Sequence, residues 1–243
     1  MSVSPSELQR PQADKLTAEG LILPVYKPTG VSSFAVVKQL KRIFGIKKIG
    51  HAGTLDPFAE GVLVVGVGRA ATKRLCEFQR QEKEYIGRVT LGVVTDTYDP
   101  DGEVIERHEF TMPDETAISK VLGEFEGEIE QTPPRYSAVK VKGMRSYRAV
   151  RQGLNLSPSP RKVHIKRIEL LQILPDGFEM RVVCAKGTYI RTLAYDIGRR
   201  LGMGAHLGRL IRNRIGAFRL EDAKTLTQIA AERGKTSGSE LWK

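Results

Sequence analysis

The stretch Gly50-His51-Ala52-Gly53-Thr54-Leu55-Asp56-Pro57, running on through Glu60-Gly61 into Val62-Leu63-Val64-Val65-Gly66-Val67-Gly68, decides how this chain is read. A short acidic loop framed by glycines stands directly before an apolar strand. Gly50 and Gly53 let the backbone turn sharply, and Pro57 biases Asp56 towards an extended conformation. The carboxylate is then presented at a loop apex beside a buried strand. Spacing alone leaves two readings: Asp56 caps the Pro57–Gly61 turn, or it is displayed for chemistry.

The chain around this loop is strongly basic, with a formal net charge of +11 over 243 residues. The charge is uneven. Gln79–Pro134 holds five Lys+Arg and fourteen Asp+Glu, whereas Arg135–Arg219 holds nineteen Lys+Arg and four Asp+Glu. A basic half of that size is the footprint of a polyanion partner. Tyr136, Tyr147, Tyr189 and Tyr195 are interleaved where stacking on bases would need them. A lone carboxylate is poorly suited to binding a polyanion and well suited to acting on one.

Composition narrows the class. With 40% hydrophobic and 28% charged residues the chain can bury a core. No apolar run reaches the roughly 18 residues of a membrane span, and the first residues carry no signal-peptide pattern, so a cytoplasmic location is expected. Cys76 and Cys184 lie far apart and read as buried free thiols. His51, His108, His164 and His206 are scattered without metal-ligand spacing. Phosphate-cradling, dinucleotide-binding and nucleophile-elbow signatures are missing from the sequence.

Residues 1–19 read as a flexible arm and 20–243 as one catalytic domain, with 134–161 as a basic insertion. A strand is expected over Gly20–Lys27. A helix capped by Ser32 or Ser33 should run to about Phe44, closed by Gly45. Further expectations are the strand Val62–Val67, a helix Ala70–Gln79, and a strand Tyr85–Val94 pairing with Glu103–Phe110. A helix begins after Asp114, strands cover Lys162–Leu174 and Phe178–Cys184, and helices cover Thr188–Leu201 and Leu226–Arg233. Within the insertion a short strand is followed by a helix around Ser146–Gly153. Strands and helices mix without a βαβ rhythm, so the fold class is α+β with a mainly antiparallel sheet.

Two more constellations carry chemistry. Lys186-Gly187-Thr188-Tyr189-Ile190-Arg191 ends a strand and opens a helix, placing Tyr189 and Arg191 in its first turn. An arginine there either holds an acid ionised or lies on a basic surface. Leu210-Ile211-Arg212-Asn213-Arg214-Ile215-Gly216 mixes apolar and basic residues, as an apolar pocket wall edged by phosphate contacts would. Tyr85 opens its strand either as a stacking ring or as core.

Taken jointly, Gly50–Pro57, Gly61–Gly68 with Ala71-Thr72-Lys73, Thr95-Asp96-Thr97 and Lys186–Arg191 resemble the bacterial tRNA pseudouridine synthases of the TruB type. Lys27-Pro28, Gly30, Ser32-Ser33, Tyr136-Ser137-Ala138-Val139-Lys140 and Gly204-Ala205-His206-Leu207 match as well. The resemblance implies the pseudouridine-synthase fold and isomerisation of uridine 55 in the TΨC loop of tRNA, with no cofactor or metal. It implies Asp56 as the catalytic acid and Arg191 as its arginine partner. His51 would pack where the flipped base lies, Tyr85 would stack on the uracil, and Tyr189 and Leu210 would line the pocket. Lys27, Lys140, Arg212 and Arg214 would contact the RNA backbone. The partner is the T-arm stem-loop, and no protein partner is inferred. Many members carry a further C-terminal RNA-binding domain of the PUA type, for which no room is expected before Lys243. Rival expectations are a same-fold enzyme acting on ribosomal RNA and a catalytically silent RNA-binding protein.

Overall fold

The computed structural model describes residues 19–137, 140–141, 144–145 and 158–234. In chain order the first elements are β1 (Leu21–Lys27), α1 (Ser33–Phe44), β2 (Ile49–Ala52), β3 (Glu60–Val67) and α2 (Arg69–Arg80). Next come β4 (Lys83–Leu91), β5 (Val93–Thr95), β6 (Val104–Arg107), α3 (Glu115–Gly123) and β7 (Gly127–Gln131). The short pair β8 (Lys140–Val141) and β9 (Met144–Arg145) precedes β10 (Arg161–Leu174) and β11 (Gly177–Cys184). Then follow α4 (Ile190–Arg200), β12 (Ala205–Ile215), β13 (Phe218–Arg219) and α5 (Leu226–Glu232). The chain divides into two compact units, one of 1–81 with 212–243 and one of 82–211.

The first unit is organised on β3. β1 runs antiparallel to it from Leu21↔Val67 to Lys27↔Gly61, and β2 pairs it from Ile49↔Val67 to Ala52↔Val64. Both faces of β3 are covered. Leu63, Val65 and Val67 pack with Val36, Val37, Leu40 and Ile43 of α1 and with Leu226 and Ile229 of α5. Val62 and Val64 pack with Ala52, Leu75 and Ile215 on the other side. Burial on two faces is why this strand reads as an unbroken apolar run and not as an alternation. α1 forms because its apolar residues recur at helical spacing between two stop signals. Ser32 accepts a hydrogen bond from the Ala35 N–H, and Gly45 closes the helix at φ 68°.

The second unit is an antiparallel set in the order β4-β11-β10-β7. β11 turns Phe178, Met180, Val182 and Cys184 inward on one period-two face. β4 alternates in the same way, burying Lys83, Tyr85, Val89 and Leu91. α3 packs on β10 and α4 on β4. The mainly antiparallel α+β reading therefore holds.

The elements differ from expectation where local signals are weak. β2 is one residue of isoleucine among glycine, histidine and alanine, and its β3 partner makes it a strand. β7, sequence GEIEQ, exposes two glutamates and is defined by the register Ile129↔Val163. The strand expected over Tyr85–Val94 breaks at Gly92, φ 79°, and the hairpin partner β6 joins β5 alone. Tyr189 is the N-cap of α4, with extended φ −100°, and not a residue of its first turn. Cys184 is buried as expected, but Cys76 is exposed on α2. Most of the N-terminal arm, the helix around Ser146–Gly153 and most of the basic insertion fall outside the described residues.

Candidate active site

In the first unit the loop carrying Asp56 is shaped by bonds that end on its main chain. Lys27, fully buried at the end of β1, donates to the carbonyls of Ala59 at 2.5 Å, Pro28 at 2.8 Å and Pro57 at 3.2 Å. Arg212, 1% exposed on β12, donates to the carbonyls of Val62 at 2.8 Å, Gly53 at 3.0 Å and Thr54 at 3.5 Å. Ser33 bridges Leu55, its hydroxyl accepting from the Leu55 N–H at 2.9 Å and donating to the Leu55 carbonyl at 3.0 Å. The Gly30 N–H donates to the Pro57 carbonyl at 2.8 Å. Leu55 and Pro57, the two chain neighbours of Asp56, are thus both tied to the Gly30–Ser33 segment. Asp56 itself is half-buried.

Two glycines make this packing possible. Gly53 adopts φ 81°, and Gly61 adopts φ 117° where β3 passes β12. A Cβ on Gly61 would lie 2.3 Å from the Arg212 carbonyl oxygen, so no side chain fits there.

The electrostatics follow from burial. Desolvation pushes the Lys27 amine down to about 8; the Asp56 carboxylate pulls it up, Arg212 pushes it further down and Glu60 pulls it up. His51 is half-buried, and its ring nitrogen meets the Thr54 hydroxyl at 3.3 Å. Burial first, and the Arg212 charge second, lower its pKa below the usual histidine range. The imidazole beside the loop is therefore neutral at pH 7.

In the second unit Arg191 is 4% exposed and donates to three acceptors, each at 3.0 Å: the Asp99 carboxylate, the Thr97 carbonyl and the Tyr136 carbonyl. Asp99 is in turn held by the Thr97 hydroxyl at 2.6 Å and the Asp101 N–H at 3.1 Å. Beside it Tyr98 takes a left-handed φ of 61° and stacks on Tyr195 with ring centroids 4.1 Å apart. A non-glycine residue in that region is held there by its surroundings. Tyr189 is half-buried. Its backbone N–H and carbonyl are both engaged by the Gln131 amide, at 2.9 and 3.0 Å, and the Arg161 guanidinium lies 4.9 Å from its ring centroid. Tyr85 is 9% exposed and Leu210 5% exposed.

Asp56 and His51 therefore stand in the first unit, and Arg191, Tyr189, Tyr85 and Leu210 in the second. Lys27 and Arg212, expected at the RNA backbone, are instead buried, with donors turned onto carbonyls of the Asp56 loop. A cation committed to buried carbonyls is a scaffold element, because a phosphate would have to displace those bonds. Arg214 is half-buried and donates to the Gly216 carbonyl at 3.1 Å. The side chain of Lys140 lies outside the described residues. The sequence marks Asp99 only as the first residue of the Asp99-Pro100-Asp101-Gly102 turn, just after Thr95-Asp96-Thr97, and gives no sign of its pairing with Arg191. Among the described residues there is no group of three or more metal-ligating side chains and no helix long and apolar enough to cross a membrane.

Comparison with known proteins gives this geometry a family. A model described as TruB family pseudouridylate synthase (N terminal domain) matches residues 41–190, and one described as tRNA pseudouridylate synthase B C-terminal domain matches 191–241. The tRNA pseudouridine synthase B of Protochlamydia amoebophila is 47% identical over 211 residues, covering 87% of this chain and 79% of that protein. That of Clostridium tetani is 43% identical over 211 residues, covering 87% and 73%. Among solved structures, a Cbf5-Nop10-Gar1 complex superposes with a TM-score of 0.70 at 31% identity. An H/ACA RNP bound to a substrate RNA containing 2'-deoxyuridine superposes with 0.66 at 28%. These cover 95% and 98% of this chain, which spans 60% of each of those longer chains. Matches that run through the Asp56 loop, the Arg191 helix and most of the length of the curated relatives establish that the chain belongs to the TruB family of pseudouridylate synthases.

Proposed function

We propose that the protein is a tRNA pseudouridine synthase that isomerises uridine 55 in the TΨC loop. The observation that carries this is the presentation of Asp56: a half-buried carboxylate on a loop whose shape is set through main-chain carbonyls by two buried cations. Such a carboxylate is pre-positioned and small, as a group meeting cationic character at a sugar carbon must be.

The reaction is an isomerisation. The N1–C1′ bond of the uridine breaks, the uracil turns, C5 bonds to C1′, and the proton lost from C5 is balanced by one gained at N1. Nothing is oxidised and no group leaves, so the balance calls for no cofactor. Asp56 acts either at C1′ or on a sugar proton. Arg191, steadied by Asp99, serves as its guanidinium partner. A uridine stacked in a folded RNA must be turned out before reaction. His51 occupies the space of the departing base, Tyr85 stacks on the uracil, and Tyr189 and Leu210 complete the pocket wall. Lys140 and Arg214 contact the RNA backbone. The activity belongs in the cytoplasm, where tRNA is available.

Incubating the protein with an unmodified T-arm hairpin and mapping pseudouridine tests the proposal. The expected result is one pseudouridine at the position of uridine 55, lost in Asp56→Asn while hairpin binding persists. Equal product from the variant would end the assignment. Binding should also fall steeply with salt, as counterion release demands.

A further inference from the structure

α1 carries a side chain that the fold does not use. Phe34 is 68% exposed, more than any other large hydrophobic residue in the described chain. It follows Ser33, whose hydroxyl bridges the Leu55 N–H and carbonyl, and the same segment bonds the Pro57 carbonyl through Gly30. The ring therefore projects from the piece of chain that flanks Asp56 on both sides. Lys38 and Arg42 follow at i+4 and i+8, are exposed, and continue the same helix face. From Lys27 to Leu55 the chain holds six Lys+Arg and no Asp or Glu. An aromatic ring on a wholly basic helix face is the pairing that single-stranded nucleic acid recognises: every base has a π-face, and every nucleotide a phosphate.

We propose that Phe34 is a stacking platform for an unpaired nucleotide flanking the target uridine, with Lys38 and Arg42 receiving the adjoining phosphates. The inference rests on the isomerase reading and adds a specificity-determining contact to it. A uridine brought to Asp56 carries its neighbours with it, and an extruded nucleotide leaves the flanking bases unstacked. A ring anchored one residue from the Leu55 bridge offers such a base a new partner. The face is also poorly suited to a protein partner's apolar core, since Phe34 is the one large apolar side chain exposed on this helix and the exposed residues that follow it at i+4 and i+8 are cations.

The test uses the full chain and an unmodified T-arm hairpin. Phe34→Ala should weaken hairpin binding roughly five- to one-hundred-fold and raise KM in step. Phe34→Leu keeps an apolar side chain without a π-face and should be as weak as Phe34→Ala. Phe34→Trp, made in a Trp242→Phe background so that the new indole is the sole tryptophan, should bind like the parent and show quenched emission when RNA is added. Lys38→Gln should lower the slope of log K against log salt by about 0.7–0.9. Wild-type-like binding of Phe34→Ala or Phe34→Leu would overturn the proposal, as would an indole whose emission ignores RNA. Failure of the isomerase reading looks different: the wild-type protein would bind the hairpin and form no pseudouridine.

Discussion

Arg191 and Asp99 form an ion pair at 3.0 Å in which neither side chain is more than 7% exposed. The pair joins the start of α4 to the turn after β5, and it fixes the guanidinium in a single orientation. Removing one partner leaves the other charge buried, which typically costs about 3–5 kcal/mol. Asp99→Ala should therefore lower the unfolding free energy by that order in urea denaturation. It should also depress single-turnover isomerisation, because the guanidinium loses the anchor that aims it. Asp99→Asn retains an acceptor and should recover part of the stability but less of the rate.

The contact of Gly61 with Arg212 sets a second expectation. Gly61→Ala places a Cβ 2.3 Å from a backbone oxygen at φ 117°, so β3 must move away from β12. Strain of this kind costs of order 1–3 kcal/mol before any packing is lost. Arg212→Met strips the carbonyls of Gly53, Thr54 and Val62 of one donor each, at about 1–3 kcal/mol for a buried unsatisfied group. Both variants should melt earlier than wild type by calorimetry. In Arg212→Met, kcat should fall more than KM rises, because the loop that positions Asp56 is the part loosened.

Lys27 gives a pH signature. Its folded pKa lies near 8, below the unfolded 10.5, so between those values the unfolded state binds more protons. Stability therefore rises with pH from about 8 to 10.5 on this account, and the burden of the charged amine is fully present below pH 8. Cys184 opposes the trend, since burial pushes its thiol up to about 11. The clean measurement is the difference between wild type and Lys27→Met in unfolding free energy against pH: the rising component should vanish in the variant. Asp56→Asn removes a charge that pulls the amine up, and should move the onset to lower pH.

Asp196 provides the opposite sign. Burial raises its carboxyl to about 6, with Arg199 pulling it back down. The folded state holds the proton longer than the unfolded one, so this contribution to stability is complete below about 3.8 and lost as pH rises through 6. Asp196→Asn should raise the melting temperature at pH 7–8 and leave it unchanged near pH 3.5. An equal shift at both pH values would mean that charge is not the cause.

Legibility of the fold tracked the strength of local signals. α1 is written twice, in its apolar spacing and in its caps Ser32 and Gly45, and β3 is written in an apolar run that only two-sided burial explains. β2 and β7 are not written locally at all. A four-residue strand of Ile, Gly, His and Ala becomes one because β3 offers it a ladder. The site divides the same way. Asp56 was legible because glycine and proline frame it, whereas Asp99 was hidden because its partner Arg191 is 92 residues away. Lys27 and Arg212 were read as surface cations because sequence carries charge but not burial. Only their carbonyl partners show that they work inward.

The way the Asp56 loop is held has a consequence for engineering. The described bonds from Lys27, Arg212, Ser33 and Gly30 all terminate on peptide groups, so the architecture makes no demand on the chemical identity of position 56 through them. Main-chain path and side-chain charge at position 56 are therefore governed by different atoms, the carboxylate itself acting on the Lys27 amine. A near-isosteric exchange such as Asp56→Asn should leave the course of the loop intact and alter only the charge it displays, which separates the scaffold from the chemistry in one substitution.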